Sequence, residues 1–311
     1  MIKFIIKKFI ANYENVKDAD VRKAYGVLSG TIGLLCNLLL FLIKFVTGLF
    51  ANSIAIMSDA FNNLTDSGSS LITLLGAKLS NKPPDKEHPH GHGRYEYIAT
   101  LIVAFLIFGV GWELLGSSIE KIINPVEVTI NYLTLFILCF SILIKLWMYS
   151  YNRYIGKTID SSMNIATAKD SLNDSLATTG ILIGTIVGLY VDLPIDGILG
   201  VAISLLIMYT GFTVAKDAVN SLLGQSPDAE LLEQIYEIVS KSEPIKNGHD
   251  LRIHDYGPGW KVASMHVMVP SDMAVSDAHN LIHELEQKIK KELGVDIVIH
   301  MDPDNLKNEW D

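Results

Sequence analysis

Six apolar windows, each about twenty residues long, run through the first two thirds of the chain. A helix of this length crosses the hydrocarbon core of a bilayer, and it satisfies its own backbone hydrogen bonds where no water is present. The sequence therefore predicts six transmembrane helices, named here spans one to six. They cover roughly residues 27–50, 54–79, 97–118, 130–151, 165–191 and 195–215.

Composition agrees with a membrane protein and excludes other classes. The 311 residues are 49% hydrophobic and only 19% charged, with a mean hydropathy of +0.31, which is too apolar for an ordinary soluble chain. The two cysteines, Cys36 and Cys139, lie inside apolar windows, so neither a disulfide framework nor a cysteine zinc site is predicted. A net charge of −9 without a concentrated basic segment argues against nucleic acid as a partner.

Lysine and arginine are distributed unevenly among the connections between spans. They precede span one and follow spans two and four, whereas the connections at 51–53 and 191–194 hold neither residue and the one at 119–129 holds a single lysine. By the positive-inside rule both termini are cytoplasmic, in a multi-pass protein of the cell (inner or plasma) membrane. Within the short cytoplasmic segment 1–26, the first eleven residues predict either an amphipathic helix on the membrane surface or a frayed tail.

After about residue 216 the sequence changes to that of a soluble domain rich in Glu, Asp and Lys. Helix-like and strand-like stretches follow in the order αββαβ, which predicts a small ferredoxin-like α+β sheet with both helices on one face. The predicted domains are a six-span transmembrane domain, 1–216, and a cytoplasmic αββαβ domain, 217–311. The elements of the latter are the helices 229–241 and 276–293 and the strands 249–255, 262–269 and 296–300, with the turn signal Gly257-Pro258-Gly259.

Two polar pairs interrupt spans two and five. Asn62 and Asp66 stand four residues apart in span two, and Asp170 and Asp174 repeat this spacing in span five, so each pair projects from one face of a helix. An intramembrane carboxylate is energetically expensive and usually marks an ion or proton pathway. Small residues near each pair allow close helix approach, so we expect spans two and five to pack together. Side by side they would offer four oxygen donors, which predicts a metal site.

Other polar residues in the spans leave alternatives open. A single intramembrane aspartate or asparagine could simply form a hydrogen bond between helices, although two matched pairs favour a metal site. Asp59, three residues before the first pair, is interpreted as an entrance or supporting group of the site, or as a helix-start residue. Lys44, Glu113 and Lys145 are expected to snorkel towards the membrane surface or to form ion pairs.

Several short motifs occur in a fixed order along the chain. They are Ser58-Asp59-Ala60 to Asp66, the loop from Pro83-Pro84-Asp85 to Arg94-Tyr95-Glu96, the turn Asp192 to Gly197, His249-Asp250-Leu251-Arg252 and His300-Met301-Asp302-Pro303. Their order and spacing resemble the cation diffusion facilitators, a family of dimeric metal-ion/proton antiporters, over nearly the whole chain. The resemblance implies a homodimer with paired, metal-responsive cytoplasmic domains and a transport site at Asn62, Asp66, Asp170 and Asp174.

The types of ligand indicate which metal is carried. Zinc-transporting members of this family usually place a histidine at the first position of the span-five pair, and often a histidine or aspartate at the first position of the span-two pair. This sequence has Asp170 and Asn62 there. Because an all-oxygen shell suits Mn²⁺ better than Zn²⁺, which favours imidazole and thiolate, we predict Mn²⁺ efflux in exchange for protons, as in manganese-exporting members. The alternative is Zn²⁺ or Fe²⁺ export through the same site.

A membrane-anchored metal sensor without transport is the alternative from another class. Enzyme activity is not predicted, because the sequence contains no His-Glu-x-x-His motif and no nucleophile elbow. The metal ion is therefore expected as substrate and regulator, and no organic cofactor is expected.

The resemblance also implies two metal sites outside the spans. In the loop after span two the matching ligands are Asp85, His88 and His92, although glycines and prolines could equally fix a plain turn there. In the cytoplasmic domain the residues that match metal ligands of the family are His249, His266, His279, His300 and Asp302. They could instead be ordinary surface side chains on a small sheet.

Overall fold

The computed structural model describes residues 2–10, 12–16, 18–80, 84–159, 161–191, 193–257 and 260–305, with residues 19 and 69–80 described only by their helical conformation. By their contacts these residues form two compact units, Met1–Thr73 with Ile102–Val214 and Leu74–Leu101 with Ala215–Asp311. The helices are α1 (Ile2–Phe9), α2 (Ala19–Ala51), α3 (Ile54–Ser80), α4 (Tyr95–Ile123), α5 (Tyr132–Thr158), α6 (Ser162–Val187), α7 (Ile195–Leu223), α8 (Ala229–Ser240) and α9 (Val275–Leu293). The strands are β1 (Gly248–Asp255), β2 (Lys261–Val269) and β3 (Val295–Pro303).

The long helices α2 to α7 correspond to the six predicted spans and confirm the predicted fold class. Four of them, α2, α4, α5 and α7, are long and apolar enough to cross a membrane by length and composition. The other two, α3 and α6, have 27 and 26 residues, and they carry the two polar pairs. The polar residues of these pairs contribute to the lower hydropathy of α3 and α6.

A carboxylate from a distant helix holds the start of α3. Asp196, in the first turn of α7, accepts hydrogen bonds from the backbone N–H groups of Ile54 at 2.9 Å and Ala55 at 3.4 Å, and from the Ser53 hydroxyl. The Lys121 ammonium lies 2.9 Å from the same carboxylate. Because the first backbone N–H groups of a helix lack partners within it, Asp196 acts as an N-cap supplied from α7. This contact fixes the end of the helix that carries Asn62 and Asp66.

The first unit encloses a hydrophobic cluster among the long helices. Gly111 of α4 allows α7 to approach, because a Cβ atom there would lie 2.7 Å from the Met208 side chain. Large apolar side chains such as Phe105 and Leu143 point outwards, as expected of surfaces that face lipid. The buried cluster contains Ala51, Ala55, Ile56, Leu114, Leu138, Ile181, Ile203 and Ile207.

The N-terminal segment forms the helix α1 and not a frayed tail. Ile6 is buried beside Tyr25 of α2 and Tyr151 of α5. The lysines of α1 and Phe4 remain exposed. The predicted amphipathic helix is thus confirmed, while its position on a membrane surface stays a prediction.

The C-terminal part of the second unit, from α8 to β3, has the predicted αββαβ order. Its sheet has the order β1-β2-β3, with β1 antiparallel to β2 and β2 parallel to β3. The connection through α9 supplies the crossover that two parallel strands need. Pro258 and Gly259 of the predicted turn, like Pro83 and Asp192 of the motifs, lie outside the described residues. The domain boundary at 216 and 217 stays a prediction, and by its contacts Leu74–Leu101 belongs to the second unit.

Candidate metal sites

The two predicted pairs meet between α3 and α6. The Asn62 side-chain amide donates to Asp174 Oδ1 at 2.9 Å, and Asp66 lies one turn further along α3 on the same face. The side chain of Asp66 is 31% exposed and that of Asp174 is 14% exposed. Asn62, Asp66 and Asp174 are therefore only partly accessible where the two helices meet.

A lysine from a third helix lies between the two carboxylates. The Lys145 ammonium of α5 lies 2.6 Å from Asp174 Oδ2 and 3.0 Å from Asp66 Oδ2, and it also donates to Asn37 Oδ1 of α2 at 2.9 Å. The side chain of Lys145 is 1% exposed. It forms the ion pairs that were one expectation for it, and it does not snorkel.

Asp170 is the exposed member of the span-five pair. It precedes Asp174 by one turn of α6, its side chain is exposed, and it has no hydrogen bond or ion pair within the described part of the chain. The carboxylates of Asp66, Asp170 and Asp174 are not among the described groups whose ligand atoms all lie within 4.8 Å of one another. To hold one ion together, these side chains have to rearrange around it.

Asp59, one turn before Asn62 in α3, forms a separate buried ion pair with Lys44 of α2. The Lys44 ammonium lies 2.7 Å from Asp59 Oδ2, and the Thr178 hydroxyl contacts both groups at 3.0 Å. Thr178 follows Asp174 by one turn, so the pair connects α2 and α3 to the ligand-bearing turn of α6. Asp59 lies in the second turn of α3, where it cannot cap the helix. Its burial fits a supporting role better than an entrance.

The loop residues Asp85, His88 and His92 form one of the two described clusters whose ligand atoms all lie within 4.8 Å. His88 Nδ1 lies 3.3 Å from Asp85 Oδ1, and His92 Nε2 lies 3.4 Å from Asp85 Oδ2. Asp85 also accepts the backbone N–H groups of Glu87 and His88, which closes a tight turn. The turn and a metal site are thus compatible readings of the same loop.

This loop packs on the β1–β2 turn within the second unit. The Arg94 guanidinium donates to the Asp255 carbonyl at 2.9 Å and lies over the Tyr256 ring. A Cβ atom on Gly93 would lie only 2.4 Å from the Tyr256 carbonyl oxygen, so only glycine allows this approach. Gly257 on the other side has a φ angle of +124°, which also requires glycine.

The second cluster consists of His249, His266 and Asp302, on three neighbouring strands. His266 Nδ1 lies 2.9 Å from Asp302 Oδ2, and His249 Nε2 lies 3.5 Å from the same oxygen. His300 Nε2 is 3.6 Å from Asp302 Oδ1, so it borders the cluster. His279 lies on α9 with its ring beside His283, outside this group.

The nearby carboxylate of Asp304 is paired with a lysine and not with the histidines. Asp304 Oδ2 lies 2.6 Å from the Lys246 ammonium, and its other oxygen accepts the Ser271 backbone N–H. The hydrogen bond from Lys246 holds the pKa of Asp304 below its usual value. Asp304 therefore pairs with a cation already present and leaves Asp302 as the carboxylate of the histidine cluster.

Sequence reasoning missed the position of Lys145 in the site. A usable signal was present, because Leu138, Ser141, Lys145, Met148 and Asn152 follow a helical stripe of α5, and all are buried. A lysine midway along an apolar helix, on its buried face, has to meet an anionic partner within the bundle.

Together these features define a protein with long apolar helices of membrane-spanning length, two polar pairs that meet between α3 and α6, and a small α+β domain with a histidine–carboxylate cluster. Comparison with known families agrees. Residues 30–223 match the cation efflux transmembrane domain, and residues 227–304 match the cytoplasmic domain of cation efflux proteins. The chain belongs to the cation efflux family, the cation diffusion facilitators, which are membrane transporters and not enzymes.

Similar proteins occur in bacteria and archaea. The manganese efflux system protein MneS of Bacillus subtilis is 28% identical over 89% of this chain and 96% of its own length. An uncharacterized transporter of Methanocaldococcus jannaschii is 29% identical over 84% of this chain and 95% of its own. The cation-efflux pump FieF of Escherichia coli is 26% identical over 85% and 88%, respectively.

Proposed function

We propose that the chain exports Mn²⁺ in exchange for protons, through a site formed by Asn62, Asp66, Asp170 and Asp174. The observation that carries this proposal is the hydrogen bond between Asn62 and Asp174, which joins the two predicted pairs across α3 and α6. All four side chains offer oxygen ligands, and none of the four is a histidine or a cysteine. The alternative is Fe²⁺ or Zn²⁺ export through the same four residues.

The absence of imidazole among these four residues favours manganese. Carboxylate and amide oxygens suit Mn²⁺, whereas Zn²⁺ generally gains affinity from imidazole or thiolate. The relative named as a manganese efflux protein supports the same choice. The family membership argues for transport and against a sensor that does not transport.

Proton exchange follows from the same carboxylates. An aspartate in a poorly solvated bundle can be neutralised either by a metal ion or by a proton, so the two compete for it. Transport then requires that metal and protons shift one equilibrium between inward-open and outward-open states. The ligand atoms of Asp66, Asp170 and Asp174 do not all lie within 4.8 Å of one another, so these side chains move together when they bind one ion.

The protein acts as a homodimer in the cell membrane, with both termini in the cytoplasm. The match of residues 227–304 to the family's cytoplasmic domain and the distribution of lysine and arginine support this arrangement. The clusters at His249, His266 and Asp302, and at Asp85, His88 and His92, act as regulatory metal sites. Their ligand atoms lie within 4.8 Å of one another, close enough for one ion to be shared.

Uptake into proteoliposomes under an imposed proton gradient tests the transport proposal. The wild-type chain, Asp174→Asn and the control Asp217→Asn would be compared for Mn²⁺ and Zn²⁺ uptake, with a pH dye inside the vesicles. Asp217 is an exposed carboxylate near the end of α7. We expect Mn²⁺ uptake with opposite proton movement, loss of both in Asp174→Asn, and wild-type behaviour in the control.

Three outcomes would count against the proposal. Binding of Mn²⁺ without any uptake would indicate a sensor. Uptake of Zn²⁺ alone would contradict the argument from oxygen ligands. Full uptake by Asp174→Asn would place the transport site elsewhere.

A further inference from the structure

Lys145 lies deep in the bundle and cannot reach a membrane surface. It stands midway along Tyr132–Thr158, so about 20 Å of helix extends on each side of it at 1.5 Å per residue. A lysine side chain is several times shorter than this distance. Its 1% exposure excludes snorkelling as the explanation of its position.

The ammonium group of Lys145 is held as a metal ion would be held. It has three N–H donors and no acceptor, and it faces one oxygen for each donor: Asp174 at 2.6 Å, Asn37 at 2.9 Å and Asp66 at 3.0 Å. The three oxygens come from α6, α2 and α3. Two of them belong to the proposed metal ligands, so the ammonium and a metal ion compete for the same position.

We propose that Lys145 is an internal cation that occupies the transport site when no metal is bound and that the substrate displaces. This inference rests on the proposed function of Asp66 and Asp174. Asn37 is the uncharged partner and is not a proposed ligand, so it keeps one hydrogen bond to the ammonium after the carboxylates turn to the metal. Lys145 thereby sets how tightly the site holds a divalent cation and how readily it releases it.

Removing the ammonium should strengthen metal binding. In Lys145→Met, a variant of similar side-chain length, Mn²⁺ no longer competes with a positive charge for Asp66 and Asp174. We expect its Kd to fall at least tenfold, which corresponds to about 1.4 kcal/mol. In transport, KM and kcat should both fall, because the bound ion also leaves more slowly.

The binding experiment uses the full-length protein with both histidine clusters disabled by His88→Ala and His266→Ala, so that Mn²⁺ binding reports on the transport site. Free Mn²⁺ is measured by electron paramagnetic resonance at pH 8, where protons compete least. The variants are Lys145→Met, Lys145→Gln and Lys145→Arg, and the control is Lys157→Met, an exposed lysine near the end of α5. Asp174→Asn reports separately on the proposed site.

Tighter binding in the Met and Gln variants, with near wild-type Kd in Lys145→Arg and Lys157→Met, would support the proposal. An unchanged Kd in either uncharged variant would show that Lys145 only packs helices, and a weaker Kd would show that it supports the ligands; both overturn the proposal. Should Lys145→Met fail to fold, Lys145→Gln decides. If Asp174→Asn leaves Mn²⁺ binding intact, the proposed site itself is wrong. If Asp174→Asn loses Mn²⁺ binding but the Lys145 variants keep the wild-type Kd, only the inference about Lys145 is contradicted.

Discussion

The buried pair of Lys44 and Asp59 gives a stability prediction that separates structural from transport roles. Their charged atoms lie 2.7 Å apart, with side-chain exposures of 0% and 2%. At an effective dielectric constant of about 20, two unit charges at this distance attract by about 6 kcal/mol. The desolvation of two ions, several kcal/mol each, offsets most of that attraction.

Breaking the pair is therefore far more costly than replacing it. Lys44→Met leaves a buried carboxylate without a counter-charge, and Asp59→Leu leaves a buried ammonium, so each single variant should lose about 3–5 kcal/mol. At about 2–4 °C per kcal/mol for a domain of 150–250 residues, the midpoint of thermal unfolding should fall by roughly 6–20 °C. The double variant should recover most of this loss, because no unpaired charge remains.

Thermal unfolding in detergent, followed by tryptophan fluorescence, would measure the coupling energy of this double-mutant cycle. The double variant should also transport Mn²⁺, since Asp59 is not among the proposed ligands. Additive destabilisation of the two single changes would refute the reasoning about the ion pair. A stable double variant that no longer transports would show that Asp59 has a part in the transport cycle.

Two further predictions concern the second unit. Mn²⁺ or Zn²⁺ should raise the unfolding midpoint of the cytoplasmic domain in a concentration-dependent way. His266→Ala should remove this effect, while the control His254→Ala, at a position outside the cluster, should retain it. An equal rise of the midpoint in both variants would contradict the proposed metal site. Gly93→Ala should detach the loop from the β1–β2 turn, because the added Cβ would clash with the Tyr256 carbonyl. The expected loss of stability is about 1–3 kcal/mol. Hydrogen exchange of residues 84–97 should increase, and unchanged protection would show that the contact is not required.

The sequence predicts features that depend on position within one helix or strand. The spacing of Asn62 and Asp66 fixes a shared face of α3, and alternation along β1 to β3 gives the sheet that carries His249 and His266. What spacing cannot predict is which residue of another element lies opposite. Lys145 reaches the site from α5 through the packing of helices, and this packing depends on the whole bundle.

Outside the spans, too, local spacing predicts some contacts, and others depend on the tertiary structure. His88 and His92 are close in the chain, and a local turn brings them together. His279 matches a ligand position of the family, yet it lies on α9, and the register of three strands, not the spacing within α9, decides which histidines meet Asp302. The docking of Gly93 on Gly257 joins segments far apart in sequence and leaves no periodic signal.

The charges around the proposed transport site lead to a prediction about the selectivity between Mn²⁺ and Zn²⁺. Asp66, Asp170 and Asp174 with Lys145 carry a net charge of −2 when all are ionised, which one divalent cation neutralises. In Asp170→His, with a neutral imidazole, the sum is −1, so a bound divalent ion leaves an uncompensated positive charge in a poorly solvated site. The histidine should therefore raise the preference for Zn²⁺ over Mn²⁺ while weakening the binding of both.

Adding Lys145→Met to Asp170→His restores the sum of −2 and should recover Zn²⁺ affinity without restoring the preference for Mn²⁺. The measurement is the Kd of each ion for the two single variants and the double variant, in the background that lacks both histidine clusters. If the double variant binds Zn²⁺ no better than Asp170→His alone, the charge balance does not govern the site. If it does bind more tightly, removal of the ammonium strengthens binding in the Asp170→His background as well, because the two remaining carboxylates then balance the charge of one divalent ion.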